Sequence, residues 1–244
     1  RNLKLLLEKI VLAAKQITHA DGGTLYLLSD DRRQLHFEIV RTDSLGIAFG
    51  GSSDQPTSGK FPDLPLFRED GSANDSMVAV AAAVAGQTIN IADAYVAEGF
   101  DFSGTRQFDA RTGYRSQSFL TVPMKDHEGE VIGVLQLINA IAADSGQVVA
   151  FSLADQRLAE SLASQAAVAL SNRQLVQQLE ALFESFIKLI NLAIDEKSPY
   201  TGGHCQRVPE LTMMLAEAAD AASEGPLADF KLTDKDRYEL RIAA

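Results

Sequence analysis

A single cysteine, Cys205, occurs in 244 residues, which excludes an internal disulfide framework and any CxxC metal or redox site. Long apolar runs are missing too. None approaches the roughly 18 residues that cross a bilayer, and the longest, Val78–Ala85, is alanine-rich and reads as a buried helix. Positive charge is in deficit: the net charge of −11 argues against duplex nucleic acid or an anionic membrane as the main partner. A nucleotide-triphosphate loop is absent as well, because Gly59-Lys60 is followed by Phe61 and Asp54 stands where such a loop needs glycine. The chain opens at Arg1 with neither methionine nor signal peptide, so it reads as a piece of a longer cytoplasmic protein.

With 46% hydrophobic residues, the composition is that of an ordinary globular chain, long enough for one good core and a second piece. Apolar residues at Leu3, Leu6, Leu7, Ile10, Val11, Ala14 and Ile17 predict a helix over Arg1–Thr18, stopped by Asp21-Gly22-Gly23. A hairpin follows, with strands at Thr24–Leu28 and Leu35–Val40. Gly50–Asn74 reads as a surface loop containing a brief strand at Leu64–Phe67. Asn74 or Asp75 is the expected cap of a helix over Ser76–Ala85, with Gly86 ending it. A strand at Thr88–Ile91 and short helical turns over Gly99–Arg111 come next.

The chain is organised around Thr112–Asn139, where strands at Ser118–Met124 and Val131–Asn139 flank a polar turn. In the second strand Leu135 and Leu137 share one face, while Val134, Gln136 and Ile138 share the other. Gln136 thus sets a buried amide in an apolar run, to be satisfied by a ligand or by neighbouring backbone. Together these elements describe an α+β domain with an antiparallel sheet, helices on one side and a pocket under loops on the other.

Between Ser152 and Glu196 there is no proline and no glycine. Val168, Asn172, Leu175, Leu179, Leu182, Phe186, Leu189 and Ala193 step by alternating four and three residues, the seam of a coiled coil. Asn172 at an a position favours a parallel homodimer through the 168–193 helix, while Ala166–Leu170 is expected to pack on the chain's own domain. Ser198–Gly203 breaks the helix, and helices are expected at Val208–Ala222 and from Leu232, with Thr233 as cap. Three segments result: a domain at 1–172, a connecting helix at 173–197 and a helical piece at 198–244.

The ordered blocks Asn90–Tyr95, Phe108–Ser116, Phe119–Met124 and Gly133–Asn139 resemble those of a GAF domain, nearest to the cyclic-nucleotide-binding GAF domains of phosphodiesterases and adenylyl cyclases. The resemblance implies a six-stranded antiparallel sheet with helices behind it and a small-molecule pocket in front. It also implies that Thr24, Asp109, Thr112, Ser116 and Gln136 are the ligand-binding residues. Hydroxyls and helix amides suit a cyclic phosphate, and an amide suits a purine edge. The same residues also suit a cap, a turn hydroxyl and a buried hydrogen bond without any ligand. Of the subgroup's signature, Asn139, Phe151 and Asp155 match, but Ala140 and Gln156 replace its lysine and glutamate, so the bridge that steadies the pocket is missing.

From Phe183, and most clearly over Ile194–Val208, the chain resembles the beginning of an HD-GYP or related HD-type metal-dependent phosphohydrolase. The resemblance implies that His204 contributes to a divalent-metal site in an intact domain, which would hydrolyse cyclic di-GMP. His204 alone cannot hold a catalytic ion, so the present chain is expected to be inactive and to carry no cofactor of its own.

Overall fold

The computed structural model describes residues 2–197 and 204–243. The break expected over Ser198–Gly203 and the side chain of His204 lie outside what is described. Two compact units divide between Arg173 and Gln174.

The first unit opens with helix α1 (Asn2–Ile17) and strands β1 (Ala20–Leu28), β2 (Gln34–Thr42), β3 (Ile47–Gly50) and β4 (Leu64–Pro65). Helix α2 (Val78–Ala85), strand β5 (Ile89–Ile91) and helix α3 (Ser103–Thr112) follow. Strands β6 (Phe119–Lys125), β7 (Val131–Ile141) and β8 (Val148–Val149) lead into helix α4 (Leu153–Lys197). Six strands form an antiparallel sheet in the order β3-β2-β1-β7-β6-β5, with β4 added beside β2 and β8 beside β7.

The expected division of β7 holds. Leu135 and Leu137 join Leu7, Val11, Ala14, Leu25, Ile39 and Leu120 in a core behind the sheet. On the front, Val134 packs under α2 with Tyr26, Leu35 and Val80, and Ile138 packs beside Phe119, Phe102 and Ile91. Helix α4 contributes Ala159, Ala163, Ala166, Ala167 and Leu170 to the rear core, so the face expected to pack on the domain does so. Val168 lies outside that face and is exposed.

Three local differences from the sequence reading have physical causes. Asp21-Gly22-Gly23 does not merely stop α1 but belongs to β1, paired to both β2 and β7. A Cβ at Gly23 would sit 2.9 Å from Lys15 Cγ and 3.0 Å from Val11 Cγ1, so glycine there permits the close approach of α1. The strand β3 carries no signal in the sequence, because four residues are too few for a period-two pattern, and its last residue, Gly50, falls where the surface loop is expected to begin. Neither Asn74 nor Asp75 caps α2, which starts later, behind Met77, with no side-chain cap. Asn74 instead donates to the Pro65 carbonyl at 3.0 Å and ties the loop to β4.

The second unit takes in the remainder of α4, α5 (His204–Asp220), a 3-10 turn at Gly225–Leu227 and α6 (Asp234–Ala243). Thr233 caps α6 as expected: its hydroxyl accepts from the Asp236 N–H at 3.2 Å, and Asp236 accepts from the Thr233 N–H at 2.9 Å. Asp220 joins α5 to α6 through Arg237 Nη2 at 2.7 Å and the Leu232 N–H at 2.7 Å. Among the described residues no helix is long and apolar enough to cross a membrane.

Candidate ligand site on the front of the sheet

The front of the sheet is apolar except for a band of polar side chains crossing its central strands. Thr24 and Gln136 are register partners on β1 and β7, and Thr121 faces Gln136 from β6. All three are buried. Gln136 Oε1 accepts from the Tyr26 hydroxyl at 3.2 Å, and its Nε2 donates to Thr121 Oγ1 at 3.0 Å. Burial raises the Tyr26 pKa far above its ordinary value, so this phenol is a neutral donor.

A second cluster lies at the root of α3. Asp109 is the only residue of that helix that is buried. Its carboxylate accepts from Ser116 Oγ at 2.8 Å, from the Ser116 N–H at 2.8 Å and from the Tyr95 hydroxyl at 2.7 Å. The hydrogen bond to Asp109, with burial second, raises the Tyr95 pKa. Arg115 stands over the Tyr95 ring at 4.2 Å and Arg106 at 5.6 Å, holding the residues on either side of the helix turn against it. Thr112 is exposed: its hydroxyl donates to the Phe108 carbonyl at 2.8 Å, a turn role rather than a place in either cluster. The structure therefore joins Asp109 to Ser116 and Thr24 to Gln136, and sets Thr112 apart.

The three signature residues are structural joints. Asn139 takes a left-handed conformation (φ 58°) within β7, which asparagine tolerates better than most residues. Its Oδ1 accepts from the N–H groups of Gln117 (2.7 Å) and Ser118 (3.2 Å), and its Nδ2 donates to the Arg115 carbonyl at 2.7 Å. The chain leaving α3 is thereby pinned to β7. Phe151 is buried in the rear core, and its carbonyl accepts from Asn90 Nδ2 at 3.1 Å, linking β5 to the start of α4. Asp155 and Ser152 form a capping box for α4, each accepting from the other's N–H at 2.8 and 3.1 Å. Asp155 thus has a partner without the missing lysine, and Ala140 is simply buried.

Tyr26, Thr121, Tyr95, Tyr114 and Asp21 were not legible as site residues. Tyr114 donates to Asp21 Oδ2 at 2.6 Å, tying the segment after α3 to β1, and burial followed by that bond raises its pKa far above normal. The available signal was polar residues at period two, Thr24 and Tyr26, in an otherwise apolar strand. A recess of about 900 Å³ opens elsewhere, at the β2 edge, between His36–Glu38 and the 50–63 loop. None of the five candidate residues lines it.

The family profile described as GAF domain matches residues 2–170. The dual 3',5'-cyclic-AMP and -GMP phosphodiesterase 11 of Drosophila melanogaster is 30% identical over 174 residues, covering 64% of this chain and 11% of that protein. Phosphodiesterase 11A of Takifugu rubripes, likewise dual for cyclic AMP and GMP, is 36% identical over 90 residues, 37% of this chain and 9% of the relative. The chain thus spans about a tenth of the length of these relatives. Among solved structures, the GAF domain of an Acinetobacter phosphoenolpyruvate-protein phosphotransferase is 17% identical, covering 72% of this chain and 94% of that one, with a TM-score of 0.48. With the family profile spanning well over half of its residues, the chain belongs to the GAF domain family.

Proposed function

We propose that this chain is a regulatory sensor: the front of its sheet takes a cyclic nucleotide beneath α3, and α4 carries the response as a parallel homodimer. One observation carries the reading. Within Ser103–Thr112 the one buried side chain of α3 is a carboxylate, and its apolar anchor, Phe102, lies at the helix start, whereas α2 buries six apolar residues along its length. A latch of hydrogen bonds exchanges its partners at little cost, because a ligand's hydroxyls and phosphate oxygens can replace them. The named substrates of the relatives are cyclic AMP and cyclic GMP, which agrees with a purine nucleotide as the ligand class. Movement of α3 has a route outward, through Asn139 into β7 and through Asn90 and Phe151 to the first turn of α4.

The test is calorimetry with cyclic GMP and cyclic AMP. Saturable heat is expected, with a rise in melting temperature; nucleotide at 100 times its Kd stabilises by about 2.7 kcal/mol. No heat at high micromolar nucleotide would sink the sensor reading. A ligand-free dimerisation scaffold then remains, favoured by the fact that Gln136 and Asp109 already have partners within the chain.

For the helix, Leu175, Leu179, Leu182, Phe186 and Leu189 are all more than half exposed, a stripe at heptad spacing. The double substitution Leu179→Glu and Leu182→Glu is expected to turn the dimer into a monomer by light scattering. Melting of the sheet unit should not change, since both side chains face solvent. A wild-type chain that is monomeric at tens of micromolar would refute the seam. The output partner we propose is an HD-type phosphohydrolase acting on cyclic di-GMP, on the strength of the sequence from Phe183 to Val208.

A further inference from the structure

We infer that Tyr26 and Thr121 are positioning residues that fix which end of the Gln136 amide meets which position of a bound purine, and so set the choice between adenine and guanine. The inference rests on the cyclic-nucleotide reading above and deepens it.

The two ends of a glutamine amide are nearly the same size, so neighbours decide which way it points. On one side of Gln136 is a phenol, on the other an aliphatic hydroxyl. A phenol donates well and accepts poorly, so the Tyr26 hydroxyl at 3.2 Å holds Oε1 on the β1 side. Thr121 Oγ1, at 3.0 Å, accepts from Nε2 on the β6 side. Neither partner can move away. Thr121 is wholly buried between β5 and β7 and Tyr26 is buried in the cluster under α2, its ring 4.7 Å from Phe37.

Each end of the amide keeps unused capacity, since the oxygen has two lone pairs and the nitrogen two hydrogens. Gln136 therefore offers one acceptor toward β1 and one donor toward β6, in a fixed order. Purines differ in that order. Adenine carries a donor at its 6-amino group and an acceptor at N1, whereas guanine carries an acceptor at O6 and a donor at N1. For a base held in one pose by its cyclic phosphate, a fixed amide pairs with one purine and opposes the other. A freely turning amide accepts both.

The test measures cyclic AMP and cyclic GMP affinities of the full chain and of three variants. The unaltered chain should discriminate. Tyr26→Phe and Thr121→Val, both close in volume, should each bring the affinity ratio toward one by about tenfold, one hydrogen bond's worth. Thr121→Ser, which keeps the hydroxyl, should retain the wild-type ratio. A role confined to packing would weaken both nucleotides alike and leave the ratio unchanged, overturning the inference. Equal affinities in the unaltered chain would overturn it too. If the unaltered chain binds neither nucleotide, the cyclic-nucleotide reading fails and takes this inference with it; if it binds and only the ratios stay fixed, the inference alone fails.

Discussion

Gly133→Ala is expected to lower stability by about 3 kcal/mol, the upper end of the range for overpacking a well-filled core. For a unit of this size that corresponds to a fall of about 6–12 °C in melting temperature. Gly133 sits in β7 opposite Leu27 of β1 and Met124 of β6. A Cβ built there would stand 2.3 Å from Met124 Cε and 2.4 Å from the Tyr26 carbonyl oxygen. The methionine end can swing aside. The carbonyl cannot, because it belongs to the central strand pair, so relief requires parting β1 from β7. Those strands also set the Tyr26–Gln136 contact, so the same change should disturb the front band. Gly104→Ala is the matched control: nothing lies within 4 Å of its added Cβ, and the site is inside α3, where alanine is favoured by up to about 1 kcal/mol. Thermal melts followed by far-ultraviolet circular dichroism decide it. A Gly133→Ala chain that melts with the wild type would show that the sheet centre is looser than its packing implies.

The sheet's centre was readable because period-two alternation in β7 separates Leu135 and Leu137 from Val134 and Ile138, and burial enforces that separation. The same rule marked Gln136 as out of place. Its partners were not readable, since Tyr26 lies 110 residues away along the chain and meets it only once β1 has paired with β7. Asp109 had the opposite fate. The family resemblance implied a ligand contact for it, and only the fold shows it buried and holding Ser116 and Tyr95. Short elements left no pattern at all: β3 is defined by its pairing with β2 and by the Arg41 side chain on its Phe49 and Gly50 carbonyls, not by any periodicity in its own four residues.

That last arrangement yields the other large effect. Glu8 of α1 and Arg41 of β2 form a buried ion pair at 2.6 Å. Arg41 also donates to the carbonyls of Val40 (2.8 Å), Phe49 (2.6 Å) and Gly50 (2.9 Å), and Glu8 Oε2 accepts from the Ser52 N–H at 2.8 Å. One pair thus fastens α1, β3 and the start of the long loop. Arg41→Ala would leave Glu8 charged in a buried site and three carbonyls without that donor, at an expected cost of about 3–5 kcal/mol. Replacing both together, Glu8→Leu with Arg41→Met, should cost less than Arg41→Ala alone, because no charge stays buried. Acidity gives an independent check. Burial pushes the Glu8 pKa up, but hydrogen bonds from Ser52 and Arg41 outweigh it and leave the carboxyl below its ordinary 4.5. A carboxyl lowered on folding contributes stability that is complete above the unfolded value and disappears as pH falls through the folded one. The stability gap between wild type and Glu8→Gln should therefore be constant near neutral pH and begin to close below about pH 4.5. A gap that stays the same down through pH 3 would mean that Glu8 holds the loop by shape and not by charge.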